Sequence, residues 1–596
     1  MCRILGSFAA GVTAPELDAV SGRQRHGGPD ERGVLSGRGW SLGCDRLAVT
    51  DPGHGSQPYR LRTAPGVLAV LNGEIYNHRE LRRRLSARGH RFDDLCDGSL
   101  LPALYMEYGP EFAAHLDGMF AVAVLDLGRP RPRLVLAVDD MGMKPIHYHV
   151  SGDGSVRFAS EIPALLAFDA VPADIREESL DSVLATKTPL GTETALRGVH
   201  VLPPGATAVA SPGSVLRIGR RAGADGRSPH AGTGVLETLR HETARLTAAD
   251  VPVCAVTSGG LDSGLVTALA AEELHGEDRQ LHTFHLGYQG RWPDAEHTYA
   301  RAVANRAGTV HHRVDIDPAE LASLLTRTVR HLGQPNADPI ALSTYALFRA
   351  VREAGFTVAL TGDGADELFG GYDRVRRAME VPDGQDWTAA YVDALAAAPR
   401  LLRHHLYTPA YRAFINDLGS DSDRIAARLR RSTGDRLSTL SEFETGCRLP
   451  AYHLRRVDHL SMACAVEARM PFCQPATVAM ARSRSAGERT GKRALYEAGR
   501  GLLPATVLRR PKQPFTLPLA AMLAPGSPLL ESVRELLSPA KLARDGRLRP
   551  DRVQALLARH IDHPSASDAL ALWAIAVHEL WTEVVQGLRR PVDCAA

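Results

Sequence analysis

The sequence lacks the features that mark membrane proteins, disulfide-stapled secreted proteins and zinc proteins. No apolar run in its 596 residues approaches the roughly 20 residues that a membrane-spanning helix needs. Its 8 cysteines are scattered without CxxC pairs, which argues against structural disulfides and against a zinc site. The first residues do not have the layout of a signal peptide. We therefore expect a cytoplasmic protein that does not contact membranes.

The sequence also has no excess of either charge. Lysine and arginine total 70 while aspartate and glutamate total 68, so the chain has no general electrostatic attraction to nucleic acid. The histidine doublets at 311–312 and 404–405 lack the HExxH or Cys/His spacing of a metal site. Hydrophobic residues make up 44% of the chain, which is typical of a globular protein. A nucleic-acid partner is therefore not expected.

The chain is long enough for two large domains, because 596 residues exceed what one hydrophobic core usually supports. Its first half contains short apolar strands between Gly, Pro and Asp turns, together with one helical stretch at 78–89. This pattern predicts an α+β fold of layered antiparallel sheets with flanking helices. The clearest predicted strands are 67–72, 119–127 and 133–138.

The second half has a different pattern, in which strands alternate with helices. This alternation predicts an α/β fold with a parallel sheet, and from about residue 375 onward the pattern is mostly helical. A stretch rich in Gly, Ser, Arg and Ala separates the halves and is interpreted as a linker. The predicted division is a first domain at 1–207, a linker at 208–232 and a second domain at 233–596.

Cys2 directly follows Met1 and is the first candidate for chemistry. Removal of Met1 would leave a thiol and a free α-amine on one residue, which together make a nucleophile and its base. Polar clusters at 25–31, 45–51 and 72–78 lie between the predicted strands. A thiolate that attacks an amide needs donors for the oxyanion, and an asparagine side chain beside a glycine N–H supplies two.

These residues resemble the class II glutamine amidotransferases, the N-terminal-nucleophile type, and in particular the glutaminase half of the asparagine synthetase B family. The resemblance covers nearly the whole first half, including Gln57-Pro58 and the segments 96–109, 139–149 and 158–166. It implies that glutamine is a substrate and that Cys2 is the nucleophile. It further implies that Asn72 and Gly73 supply the two donors for the oxyanion. The side chains implied to bind glutamine are those of Arg46, Glu74 and Asp97.

A second motif, TSGGLDSG at 257–264, follows an apolar strand and precedes a predicted helix. Backbone N–H groups and the helix dipole favour phosphates at such a place, yet the spacing is not that of a Walker loop. The motif resembles the SGGxDS pyrophosphate loop of ATP pyrophosphatases, which form acyl adenylates. The carboxylate cluster TGDGADELFGGY at 361–372 is suited to Mg²⁺, for which Asp262 and Asp366 are the predicted ligands.

Most of the second half therefore resembles the synthetase domain of the asparagine synthetase family. The resemblance implies ATP as the cofactor and a carboxylate acceptor, with Asp363 promoting attack by ammonia and Lys492 and Lys512 offsetting charge on pyrophosphate. The alternative for both Asp363 and Glu367, which lie in the same cluster, is a salt-bridged structural acid. The remaining residues implied for the ATP site are Val256, Ser258, Gly259, Gly260, Asp262, Ser263, Leu286, Thr361 and Gly362.

Several positions depart from the family pattern and leave the acceptor open. Gly264, Cys473-Gln474 and Tyr496 replace commoner family residues near the second site, and Cys44 stands where the family commonly has histidine. Aspartate is the default acceptor, and a specialised amidotransferase acting on another acid is the alternative. A ring-closing synthetase is disfavoured by Cys2, and a silent partner protein is disfavoured by the intact motifs. Family members often form homodimers, which the sequence does not report.

Overall fold

The structure is a computed structural model that describes residues 1–221, 234–290, 296–510 and 517–588. Within these ranges, no helix has both the length and the apolar character required to span a bilayer. Lys512 and residues 222–232 of the predicted linker lie outside the described residues.

The N-terminal half consists of two six-stranded antiparallel sheets, as the strand pattern predicts. The first sheet has the strand order β10-β8-β9-β1-β3-β2 and the second has the order β12-β11-β7-β6-β5-β4. The strands are β1 (Cys2–Phe8), β2 (Glu31–Gly37), β3 (Trp40–Arg46), β4 (Tyr59–Leu61), β5 (Ala64–Ile75), β6 (Gly118–Asp126), β7 (Arg133–Val138), β8 (His147–Val150), β9 (Val156–Ala159), β10 (His200–Val201), β11 (Ala206–Ala210) and β12 (Arg217–Arg220).

Apolar side chains from both sheets pack against each other and form one core of the N-terminal half. Strands β5 and β6 are buried along most of their length, which explains their nearly continuous apolar sequences. Cys2, the first residue of β1, belongs to this core together with Cys44 of β3. Helices cover the outer faces, and the predicted helix at 78–89 is confirmed as α2. These helices are α1 (Ala14–Gln24), α2 (His78–Ser86), α3 (Leu101–Tyr108), α4 (Ile162–Leu165) and α5 (Ser179–Thr186).

The linker prediction is wrong for residues 208–221. Strand β11 pairs with β7, and β12 pairs with β11, so this segment is an edge hairpin of the second sheet. All four residues of β12 are exposed to solvent, and a strand without a buried face lacks the apolar alternation by which a strand is identified in a sequence.

The C-terminal half contains a five-stranded parallel sheet, which confirms the α/β prediction. Its strand order is β15-β14-β13-β16-β17, and every neighbouring pair is parallel. The last strand has only three residues and is not apparent in the sequence. The five strands are β13 (Val253–Val256), β14 (His282–Tyr288), β15 (Val310–Ile316), β16 (Val358–Leu360) and β17 (Glu467–Arg469).

Helices surround this sheet and make up most of the chain after residue 372. They are α6 (Val235–Thr247), α7 (Leu261–Gly276), α8 (Glu296–Arg306), α9 (Pro318–Leu332), α10 (Ile340–Glu353), α11 (Ala365–Leu368), α12 (Asp373–Glu380), α13 (Trp387–Leu395), α14 (Arg400–Leu406), α15 (Pro409–Leu418), α16 (Asp421–Arg430), α17 (Arg436–Phe443), α18 (Arg455–Met462), α19 (Pro475–Ser483), α20 (Ala486–Arg489), α21 (Arg493–Ala498), α22 (Ala505–Arg509), α23 (Leu519–Met522), α24 (Pro528–Leu536), α25 (Pro539–Asp545), α26 (Pro550–Asp562) and α27 (Ala566–Leu588).

One long helical segment passes beside the parallel sheet. Helix α17 continues through the wider π-helical turns of Glu444–Leu454 into α18. Trp573 and Trp581 of α27 are almost fully buried, as their apolar surroundings in the sequence predict. Short 3₁₀ turns connect other elements, at Arg25–Gly27, Asp97–Leu100, Gly109–His115, Pro471–Cys473 and Thr490–Lys492.

Candidate active sites

Cys2 lies in a buried polar site at the start of β1. The Nε2 of Gln57 donates a hydrogen bond to its Sγ at 3.2 Å. Burial raises the pKa of the thiol. Three influences outweigh burial and bring the pKa below its ordinary value: hydrogen bonding with Cys44, the charge of the N-terminal ammonium, and hydrogen bonding with the backbone of Leu47. A lowered pKa increases the thiolate fraction, which is the nucleophilic form. The site is therefore suited to nucleophilic attack by Cys2.

Asn72 and Gly73 lie next to Cys2 at the end of β5. The backbone N–H of Cys2 donates to Asn72 Oδ1 at 3.4 Å, while Asn72 Nδ2 lies 3.5 Å from Ser160 Oγ. Gly73 has a φ of +138°, and a Cβ there would lie 2.0 Å from the carbonyl oxygen of Met119. Only glycine fits at position 73, because the backbone there lies directly against the backbone of β6.

Glu74 and Asp97 form an acidic pair in the same site. Thr50 Oγ1 donates to Glu74 at 2.8 Å, and the backbone N–H of Ile75 donates to Asp97 at 2.8 Å. Burial raises the pKa of both carboxyl groups, to about 6 for Asp97. The α-ammonium of Met1 lies 3.9 Å from Glu74 and 3.5 Å from Glu467, so this part of the site accommodates an ammonium group.

Arg46 closes the other side of this site from the end of β3. Its guanidinium donates to Glu31 at 3.3 Å and to the carbonyl oxygen of Asp51 at 3.1 Å, and it also contacts Cys96 Sγ. The residues that the sequence assigned to the first site are thus brought together. Sequence reasoning did not assign a role to Cys44, Thr50, Gln57 or Ser160, because their contacts depend on how strands pair rather than on a motif.

The predicted phosphate loop lies between β13 and α7, at the carboxyl end of a central parallel strand. The backbone N–H of Ser258 donates to Ser263 Oγ at 3.1 Å, which closes the loop. Gly259 has a φ of +75°, and a Cβ there would lie 2.3 Å from the backbone nitrogen of Ala300. Gly260 caps the N-terminus of α7. A loop of this kind directs backbone N–H groups and a helix dipole toward an anion.

The acidic cluster packs directly on this loop. A Cβ at Gly362 would lie 2.8 Å from the backbone nitrogen of Ser263, so the two loops are in backbone contact. Thr361 Oγ1 donates to Asp363 Oδ2 at 2.7 Å. Burial, together with Asp366, raises the pKa of Glu367 to about 7.

Lys492 joins the two loops through ion pairs. Its Nζ lies 2.5 Å from Asp262 Oδ2 and 2.7 Å from Asp366 Oδ1, and the lysine is only 3% exposed. Burial opposes the charge, but the two carboxylates raise the pKa of Lys492, so the lysine stays protonated. The predicted charge-offsetting lysine and the two predicted metal ligands are therefore in contact.

The donor set of Asp262 and Asp366 fits Mg²⁺. Asp262 Oδ1 is buried and has no hydrogen-bond partner, which leaves a carboxylate oxygen for a cation. Mg²⁺ is usually held by one or two carboxylates together with substrate phosphates. The described part of the chain contains no group of three or more His, Cys, Asp or Glu residues arranged around a metal.

A cavity of about 300 Å³ lies between these loops. Gly259 and Leu286 do not line it: Gly259 packs against α8, and Leu286 is buried in β14, although the sequence assigned both to the ATP site. Further lining residues that sequence reasoning missed are Asp338, Thr344, Tyr372, His453 and Arg456. The predicted residues that do line it are Val256, Ser258, Gly260, Asp262, Ser263, Thr361, Gly362, Asp363, Asp366 and Lys492.

Comparison with known proteins matches both halves of the chain. Residues 1–217 match the model of the glutamine amidotransferase domain, and residues 234–583 match the model of asparagine synthase. Similar curated proteins include glutamine-hydrolyzing asparagine synthetase 3 of Bacillus subtilis, which is 28% identical over 542 residues, covering 84% of this chain and 83% of that protein.

Two further relatives differ in how much of the chain they cover. Glutamine-hydrolyzing asparagine synthetase 1 of Bacillus subtilis is 26% identical over 628 residues, covering 98% of this chain and 97% of that protein. Glutamine-hydrolyzing asparagine synthetase B of Escherichia coli is 30% identical over 392 residues, covering 62% of this chain and 65% of that protein. Because the synthase model alone matches more than half of its residues, the chain belongs to the asparagine synthase family.

Proposed function

We propose that this protein is a glutamine-dependent asparagine synthetase. Glutamine is hydrolysed at Cys2, aspartate is adenylated by ATP at the second site, and ammonia passes inside the protein to form asparagine, AMP and pyrophosphate. The observation that carries this proposal is that one chain holds both a buried thiol beside the Asn72 side chain and a phosphate loop packed on an acidic loop.

In the first site, Cys2 attacks the amide carbon of glutamine after removal of Met1. Its α-amine, which lies beside Asn72 Oδ1, takes up the thiol proton. Asn72 Nδ2 and the backbone N–H of Gly73 stabilise the oxyanion. Arg46 binds the α-carboxylate of glutamine, and Glu74 with Asp97 binds its α-ammonium. The position of the Met1 ammonium supports this last role, because Glu74 and Asp97, together with Glu467, attract an ammonium there.

In the second site, the loop from Ser258 to Ser263 holds the pyrophosphate portion of ATP. Lys492 offsets the charge that accumulates on the departing pyrophosphate. Asp363, fixed by Thr361, accepts a proton from ammonia as it attacks the acyl adenylate. Asp262 and Asp366 would hold Mg²⁺, which when bound screens the repulsion between the triphosphate and the attacking carboxylate.

The alternative acceptor, a carboxylic acid other than aspartate, has no specific support. The two Bacillus subtilis relatives and the Escherichia coli relative are all named as asparagine synthetases. Of the departures from the family pattern, Cys473 and Gln474 are buried outside the lining of the cavity, whereas Tyr496 lies in it. The cytoplasmic location and the homodimer stay predictions.

The acceptor is tested by incubating the protein with ATP, ammonium and one acid at a time while pyrophosphate and AMP are measured. Aspartate is expected to release pyrophosphate at least about tenfold faster than glutamate, succinate or β-alanine, because acceptor polar groups must match buried partners. Asparagine and AMP should form in equal amounts. Formation of ADP and phosphate, or faster release with another acid, would contradict the proposal.

A further inference from the structure

Four polar residues line the synthetase cavity without a role in adenylation or in attack by ammonia. Asp338 precedes α10, Thr344 lies within α10, and His453 and Arg456 lie where the π-helical turns pass into α18. Arg456 Nη1 donates to Thr344 Oγ1 at 3.0 Å, so the two helices are joined at this point. These four residues form a second wall of the cavity, distinct from the phosphate loop and the acidic loop.

Arg456 is held less closely than the other cations that line the cavity. Lys492 lies 2.5 Å from its nearest carboxylate, and Arg510 lies 2.8 Å from Glu296. Arg456 lies 3.5 Å from Asp338, its Nε makes no hydrogen bond, and it is only 7% exposed. A guanidinium has five N–H donors, and buried donors without partners are costly. This arrangement is suited to an anionic ligand.

The neighbours of Arg456 satisfy one another. Tyr372 donates its hydroxyl hydrogen to Glu367 Oε1 at 2.6 Å and lies 3.3 Å from His453 Nε2. Burial, together with Arg456, holds the pKa of His453 well below its ordinary value, so this histidine is neutral at physiological pH. The charges that the second wall offers to a ligand are therefore those of Arg456 and Asp338, which are adjacent and opposite in sign.

A lysine from the N-terminal half adds positive potential near this wall. Lys187 follows α5, and its carbonyl oxygen accepts a 2.7 Å hydrogen bond from the backbone N–H of Ala337, next to Asp338. Burial, with Arg448 nearby, lowers the pKa of Lys187 to about 8. At neutral pH its ammonium still acts on this wall, since Lys187 is among the cations that lower the pKa of His453.

We propose that Arg456 and Asp338 recognise the amino-acid end of the acceptor, with Arg456 pairing with the α-carboxylate and Asp338 with the α-ammonium. The inference rests on the proposed function, in which the acceptor is aspartate. A zwitterionic amino acid presents adjacent opposite charges, to which an Arg-Asp pair 3.5 Å apart is complementary. Binding replaces one long ion pair with two charge-assisted contacts and leaves the side-chain carboxylate for adenylation.

Two smaller acids separate the two contacts. β-Alanine is aspartate without its α-carboxylate, and succinate is aspartate without its α-amine. Ammonia-driven amidation is measured with all three acids for the wild type and for Arg456→Met. The wild type is expected to prefer aspartate over β-alanine by at least about 100-fold in kcat/KM, because β-alanine leaves a buried guanidinium unpaired.

In Arg456→Met this preference is expected to fall below about fivefold, because aspartate then has no partner for its α-carboxylate while β-alanine had no such contact to lose. Arg456→Lys should recover part of the preference, since it restores the charge without the bidentate geometry. Asp338→Asn should reduce the preference for aspartate over succinate in the same way.

The matched control is Arg455→Met, at the neighbouring position of α18. Arg455 does not line the cavity, and its Nη2 donates to the carbonyl oxygen of Gly191 at 3.2 Å. This variant is expected to change activity with aspartate and β-alanine by the same factor. Glutamine hydrolysis by each variant reports whether it is folded, and Arg456→Lys and Asp338→Asn complete the test if Arg456→Met does not fold.

The outcomes distinguish the subsite from the function. If Arg456→Met lowers activity with aspartate and β-alanine by one common factor, as the control does, the subsite is wrong although the proposed function stands. If the wild type makes no asparagine from aspartate, ATP and ammonium, the proposed function fails and the subsite fails with it.

Discussion

The reactivity of the Cys2 thiol depends on side chains that are distant in the sequence. Strands β1 and β3 pair so that Cys2 is opposite Arg46 and Ile4 is opposite Cys44, which brings both cysteines into the same buried core. Burial and hydrogen bonding to Cys2 raise the pKa of Cys44 well above its ordinary value. Cys44 therefore stays protonated, and its thiol is the group placed to donate to the Cys2 thiolate.

We expect Cys44→Ala to weaken glutamine hydrolysis most at low pH. Loss of the donor raises the pKa of Cys2, so a smaller fraction is thiolate at any pH below that pKa, while at higher pH both proteins are fully ionised. One hydrogen bond of about 1 kcal/mol corresponds to about a fivefold loss of kcat/KM on the acid limb. The measurement is the pH profile of kcat/KM for glutamine.

Cys44→Ser is the matched comparison, because a hydroxyl keeps a donor of similar size. Its profile should lie close to that of the wild type. A Cys44→Ala profile lowered equally at every pH would mean that Cys44 contributes packing and not a hydrogen bond.

Motifs identified the candidate site residues, but not the residues that surround them. Cys2, Asn72 and Asp363 lie in the clusters in which the sequence placed them, because each belongs to a motif next to a strand. Cys44 and Arg456 were not identified in this way. Cys44 is brought to Cys2 by strand pairing, and Arg456 is brought to the cavity by the approach of a helix to a loop. Contacts of this kind connect positions far apart in the chain and leave no local pattern.

Among the strands and helices, burial decided what could be predicted. Strands β5, β6 and β7 were predicted because they are buried and nearly continuously apolar. The exposed strand β12 was mistaken for part of a linker, and β17 was missed because three residues are too few to show a period.

The turn between β13 and α7 provides a test at the level of an element. Gly259→Ala should lower ammonia-driven synthesis at least about tenfold, because a non-glycine residue at positive φ costs roughly 1–2 kcal/mol and its Cβ would clash with the backbone of α8, which displaces the loop. Glutamine hydrolysis should be retained, since this loop belongs to the other half. Steady-state assays of both activities make the measurement.

Gly276→Ala is the control for this change, because it lies at the end of the same helix and its Cβ would meet nothing within 4 Å. It should leave synthesis near the wild-type rate. If the two alanine variants behave alike, the close approach at Gly259 is not required for the phosphate loop.

For the molecule as a whole, buried ion pairs connect the two halves. Arg3 of β1 lies 2.7 Å from Asp458 of α18, and Lys144 lies 2.6 Å from the same carboxylate. Burial would raise the pKa of Asp458, but the two cations lower it, so the carboxylate stays charged. Helix α18 thus carries both Arg456, which lines the synthetase cavity, and Asp458, which pairs with Arg3 next to Cys2. Other contacts between the halves include those of Ser179 with His578 and of Arg403 with Asp181.

The central claim is that one chain carries two separable sites, and Cys2→Ala tests it most directly. Asparagine formation is measured with ATP and aspartate, once with glutamine and once with ammonium as the nitrogen source. Glutamine-driven synthesis is expected to fall by more than about a thousandfold, because the nucleophile is lost, while ammonia-driven synthesis stays within about twofold of the wild type. Equal loss of both activities, or survival of the glutamine-driven reaction, would contradict the account.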